Sequence, residues 1–219
     1  MGLKARITFL KDYTLVEDEV LLKDLGLQYS RRRDSILEKR IYDNRNEQLF
    51  SIGEMEGVKI ICHAVYPLLG FESIYMSEYE YRLNRIFRPG IMLGIGLHSA
   101  MNIYGYSFVK KGKKLRVMSG SVEGKLFEGG RRTDFEDEIY SGYDHNKQTG
   151  LFISKDGAST GNESMFGEEL ALSFTRLFFD KPFDQFAFDL IKLRTYQIER
   201  ENQQLLRQKR KFSLFDLFR

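Results

Sequence analysis

His98, Ser99 and Asn102 lie within five residues of one another in GIGLHSAMN and form the first set of side chains with chemical capacity. A histidine at the end of an apolar strand, next to a hydroxyl and near an amide, has the groups needed for a general base that orients a substrate. The plainer reading of the same residues is a tight turn in which His98 and Asn102 satisfy backbone groups. The other histidines, His63 and His145, stand at no metal-ligand spacing with it, and HExxH is absent. GxSxG is absent too, so no acyl-transfer triad of the nucleophile-elbow type can be built.

Carboxylates cluster twice, at Asp134, Glu136, Asp137 and Glu138 and at Glu163, Glu168 and Glu169. Paired acids of this kind hold Mg²⁺ or hydrolyse glycosides in some proteins, but acids at helix starts also complement the helix dipole. The Gly94-Ile95-Gly96 pair invites a dinucleotide-loop reading, yet the third glycine position is Ser99 and a strand follows it. Glycines in a strand also mark a close approach by another group. With no GxxxxGK[ST] either, no cofactor and no metal site is expected. Cys62 is the single cysteine and lies in the apolar run VKIICHAV, which predicts a buried thiol and no internal disulfide.

These residues need elements to position them. The 219 residues are 42% hydrophobic and 30% charged, which excludes whole-chain disorder and suffices for one sizeable core. Leu3 to Phe9 alternates and predicts a half-buried strand. Val16 to Leu25 has helical spacing, with Thr14 as cap and Gly26 at the C-cap position. Residues Gln28 to Gln48 are charged and aperiodic and read as an excursion with a short helix near Ile36. Leu49 to Ile52 and Val58 to Cys62 predict a hairpin about a turn at Glu54 to Gly57. Ser77 and Glu80 form a capping box ahead of a helix reaching Phe87.

Ile91 to His98, Asn102 to Val109 and Leu115 to Ser119 are joined by connections too short for parallel crossovers, so this stretch predicts an antiparallel meander. Glu168 to Phe179 predicts the strongest helix, and Phe188 to Arg194 a last strand. The expected fold is therefore α+β: helices packed on an antiparallel sheet with the meander, about 91–119, at its centre. A single domain, 1–195, precedes a basic amphipathic tail, 196–219.

The stretch His98 to Val117 (HSAMNIYGYSFVKKGKKLRV), the helix carrying Phe166-Gly167-Glu168-Glu169-Leu170, and the opening Met1-Gly2-Leu3-Lys4 together resemble an uncharacterised bacterial domain-of-unknown-function family. The likeness covers about residues 1–10 and 57–180 and leaves out Leu27 to Asn46 and the tail. It implies a bacterial, cytoplasmic α+β protein and carries no activity with it.

Charge and apolar content at the carboxyl end point to a partner. The formal net charge is +3, and seven cations against two anions between Lys192 and Lys211 leave the rest of the chain close to neutral. Nothing in the body has the aromatic pattern of an RNA-binding sheet, so nucleic acid is not expected there. No stretch approaches the length of a membrane span, and the first residues are too charged for a signal peptide, so a cytoplasmic protein is expected. Phe212, Leu214, Phe215, Leu217 and Phe218 place five large apolar side chains after a basic run. Each is worth roughly 1.5–3 kcal/mol when buried, which predicts a docking peptide for a protein partner. FSLF and LFDLF resemble the short motif that binds the bacterial sliding clamp, without its leading glutamine; packing on the chain's own body and contact with an anionic membrane surface are the alternatives. The expected function is a non-catalytic interaction module. The alternative is a hydrolase that uses His98, Asn102 and a carboxylate cluster.

Overall fold

The computed structural model describes residues 3–42, 46–179, 181–201, 205 and 207. In chain order, β1 (Arg6–Lys11) leads to α1 (Asp18–Leu25), β2 (Gln28–Ile36), α2 (Leu37–Tyr42) and the hairpin β3 (Leu49–Met55) and β4 (Val58–Cys62). A 3₁₀ turn (Tyr66–Gly70) and α3 (Glu78–Phe87) precede β5 (Ile91–His98), β6 (Ile103–Lys110), β7 (Lys113–Ser121) and β8 (Gly124–Gly130). Then come α4 (Asp134–Ser141), β9 (Tyr143–Asn146), β10 (Leu151–Ser154), β11 (Thr160–Gly161), α5 (Glu163–Phe174) and β12 (Lys192–Arg200).

Nine strands form one sheet in the order β2-β12-β3-β4-β1-β5-β6-β7-β8, and β9 to β11 form a second, small one. Each neighbouring pair in the large sheet is antiparallel. The α+β class and the meander are as the sequence predicts. The meander, though, occupies one half of the sheet and runs out to the β8 edge. The middle strand is β1, because β12 and β2 extend the other half.

Helices cover both faces, so the sheet divides two hydrophobic cores. One holds Leu21, Leu22 and Leu25 of α1, Tyr79, Leu83 and Phe87 of α3, and the 3₁₀ turn. The other holds Phe166, Leu170 and Phe174 of α5 with Ile7, Phe9, Ile95 and Tyr106. Strand β1 is consequently buried on both sides and not on one. Its polar alternates are satisfied inside: Arg6 Nη1 donates to the Ala64 carbonyl at 2.8 Å and Thr8 accepts the Tyr79 hydroxyl at 3.2 Å.

Local chemistry explains the element ends. Ser77 and Glu80 make the expected capping box on α3, and Gly26 ends α1 at φ 70°. Glu56 and Gly57, at φ 51° and 73°, form the two-residue turn of the β3–β4 hairpin. Four details differ from expectation. The N-cap of helix α1 is Glu17, which makes no side-chain cap, so Thr14 does not serve. Helix α5 begins five residues early because Asn162 accepts the Met165 amide. The charged excursion is an edge strand, β2, followed by α2. Finally, β12 continues to Arg200, with Tyr196, Ile198 and Leu205 buried in the α1–α3 core, so the expected boundary at 195 falls inside a strand. Phe212, Leu214, Phe215, Leu217 and Phe218 lie outside the described residues.

Candidate functional site

Ser99 and His98 serve different neighbours. Ser99 donates to Glu168 at 2.7 Å, tying the end of β5 to α5. The His98 Nδ1 is buried without a hydrogen-bond partner. Burial holds its imidazole below the ordinary value, and the charges of Lys4 and Arg6 push the same way. Asn102 is exposed and adopts φ 52° at the tip of the β5–β6 connection, a left-handed position that asparagine tolerates. The structure thus joins Ser99 to a carboxylate, while the charges that act on His98 are those of Lys4 and Arg6.

The acidic clusters are distributed over separate structural contacts. Glu163 accepts the Tyr104 hydroxyl at 2.8 Å, Glu168 accepts Ser99, and Glu169 accepts the Tyr143 hydroxyl at 2.6 Å. Glu136 turns inward to Tyr106 and Arg116, both at 2.7 Å. Among the described residues no group of three or more His, Cys, Asp or Glu side chains is placed to hold a metal ion. His63 is held by its own chain: Nδ1 accepts the amides of Val65 and Tyr66, and its ring stacks on Tyr66 at 3.8 Å.

A cleft of about 530 Å³ opens instead where the start of α1 meets β4, β12 and β2. Its framework is Asp18, the first residue of α1, which is 8% exposed. Arg194 of β12 grips Asp18 in bidentate fashion, Nε to Oδ2 at 2.6 Å and Nη2 to Oδ1 at 2.9 Å, and the Tyr196 hydroxyl adds a third bond at 2.7 Å. Arg194 and Tyr196 share a face because they are two apart on one strand. Burial pushes the Asp18 carboxyl up, but the bonds from Arg194 and Tyr196 outweigh it and leave the group below the ordinary carboxylate value.

Lys59 forms the floor. It is flanked by Val58, Ile60 and Ile61 on a strand buried on both faces, and is only 4% exposed. Its Nζ stands 5.3 Å from the Tyr13 ring centre and 5.5 Å from that of Phe87. Glu54 sits directly across the β3–β4 ladder from it, and burial together with that carboxylate pushes the Tyr13 hydroxyl above the ordinary tyrosine value. Burial holds the Lys59 ammonium below the ordinary lysine value; Asp18 and Glu54 oppose this without cancelling it, and Arg194 adds to it. Arg32 of β2, opposite Tyr196, completes the lining with Glu17 and Glu19.

Sequence reasoning missed this site because its parts are 176 residues apart in the Asp18–Arg194 pair. One signal was present: a lysine inside the apolar run Val58 to Cys62 must be paired or must face a cavity. No family model, curated protein or solved structure matches the chain.

Proposed function

We propose that the protein is a non-catalytic binding module that receives an anionic group in the cleft beneath α1 and docks a protein partner through Phe212, Leu214, Phe215, Leu217 and Phe218. The observation that carries the first part is Lys59, an almost fully buried cation open to a cleft and left without a hydrogen bond to any described residue. A buried ammonium without a partner is costly, and an anion entering the cleft would relieve that cost. Arg32, exposed on β2, supplies a second cation at the same opening.

The hydrolase alternative draws less support, since the buried His98 Nδ1 has no hydrogen-bond partner and so no carboxylate that would orient the ring as a base. A bacterial, cytoplasmic setting fits the single buried Cys62 and the family resemblance; no helix of the described residues is long and apolar enough to cross a membrane.

Two experiments test this reading. Calorimetric titration with small carboxylates and orthophosphate should give saturable binding that Lys59→Met abolishes and neutral analogues do not reproduce; no saturable binding would refute the cleft. Deleting residues 212–219 should leave stability unchanged while a protein partner is lost from pull-downs. A loss of several kcal/mol on deletion would place the peptide in the protein's own core, and loss of vesicle binding alone would assign it to a membrane surface.

A further inference from the structure

Lys59 has a chemical property that anion binding alone does not use. A lysine present only to neutralise a carboxylate donates its protons to it. Here no carboxylate of the described residues takes a hydrogen bond from it. Both oxygens of Asp18 are occupied by Arg194 and Tyr196, and Glu54 stays exposed across the ladder. The charged and titratable groups facing Lys59 are Asp18 and Glu17 at the start of α1, Glu54 of β3, Arg194 of β12 and Tyr13. The amine is therefore enclosed by aromatic rings, without a hydrogen bond to a described residue, and open to a cleft with room for a small molecule.

We propose that Lys59 is a carbonyl-reactive amine that condenses with a small anionic aldehyde or keto acid whose charge is held by Arg32. This rests on the cleft being an anion-binding site. In the step, the neutral Nζ lone pair adds to the carbonyl carbon, and the carbonyl oxygen takes a proton to give a carbinolamine. Loss of that oxygen with the two amine protons as one water leaves the C=N bond, so neither oxidant nor reductant is consumed. Burial lowers the cost of releasing the Nζ proton relative to an exposed lysine, and so raises the share of nucleophilic amine. Glu54, across the ladder, is placed to accept and return the proton through water.

Glyoxylate with cyanoborohydride, followed by peptide mass mapping of the full-length protein, tests the proposal. Lys59 should be carboxymethylated faster than the exposed lysines by about tenfold or more. Lys59→Arg, which keeps the charge, should lose that adduct only. Glycolate, of similar size and charge but without a carbonyl, reports binding alone through the amide resonances of Asp18 and Glu19. Glycolate binding without selective labelling of Lys59 overturns the condensation and leaves the binding site standing. Absence of both overturns both readings. Equal labelling of Lys59 by acetaldehyde removes the role given to Arg32.

Discussion

Arg116 and Glu136 form an ion pair at 2.7 Å in which the two side chains are 1% and 0% exposed. The Tyr106 hydroxyl shares the Glu136 oxygen at 2.7 Å, and Glu136 also caps α4 by accepting the Thr133 amide at 2.8 Å. One carboxylate thus fixes a helix start and neutralises a buried guanidinium. Glu136→Ala should cost about 3–5 kcal/mol, because among the described residues it leaves the buried Arg116 with the partly exposed Glu128 as its one carboxylate, beside long bonds to the Gly129 and Gly130 carbonyls. Chemical denaturation would measure this, and Arg116→Met added to Glu136→Ala should recover part of the loss.

Glycine at 105 and 167 is demanded by aromatic rings. A Cβ on Gly105 would stand 2.4 Å from the Phe71 ring, and one on Gly167 would stand 2.3 Å from the Tyr104 ring. Gly105→Ala and Gly167→Ala should each destabilise by roughly 1–3 kcal/mol through overpacking, whereas Gly150→Ala meets no atom and suffers only from its positive φ. Equal thermal midpoints for the Gly105→Ala and parent proteins would contradict the packing.

Cys62 should be inert. It is fully buried, and burial pushes its thiol up to about 12, so thiolate is negligible at neutral pH. Native protein should resist maleimide while denatured protein takes up one equivalent; rapid labelling of the native state would be inconsistent with this burial.

Strong acid should weaken the α1 cleft. The Asp18 carboxyl lies below its ordinary value near 3.8 in the folded protein. A group with a depressed folded value contributes stability that is present above its unfolded value and is lost as pH falls through the folded one. Stability between about pH 5 and pH 2 should therefore fall more steeply for the parent than for Asp18→Asn. Parallel curves would remove Asp18 from the account.

Amide exchange should be slowest in β1 and its neighbours β4 and β5, which are flanked on both sides, and fastest in the edge strands β2 and β8. Slow exchange confined to β6 and β7 would place the stable centre in the meander instead.

Local signals in the sequence located most elements of this fold. The capping box at Ser77, the C-cap at Gly26 and the meander of alternating apolar residues all act over a few residues, and each is where its chemistry puts it. The close approach read from the glycines of β5 is not required at Gly94, where a Cβ would lie at ordinary contact distances, 3.4 Å from the Pro67 carbonyl and 3.7 Å from the Phe71 ring. What stayed hidden depends on distant pairing. The charges of Gln28 to Ile36 mask a strand whose partner, β12, lies far along the chain, and nothing local reveals that β12 separates β2 from β3. For the same reason Asp18 reads as an ordinary helix-start acid until Arg194 is brought to it.

The placement of β12 bears on how the chain is made. β2 and β3 flank it on either side and bond to it, not to each other, yet among the described residues it is the last strand of the sheet to be synthesised. Until it arrives, β2 has no ladder to join and β3 has only β4, so two unpaired strand edges wait on the nascent chain. The meander, by contrast, joins consecutive strands through short turns and can assemble as it emerges. Biosynthesis therefore splits the sheet into an early half and a late half, and the exposed Arg32 and Arg33 of β2 are charges of the kind that keep a waiting edge from pairing with another chain.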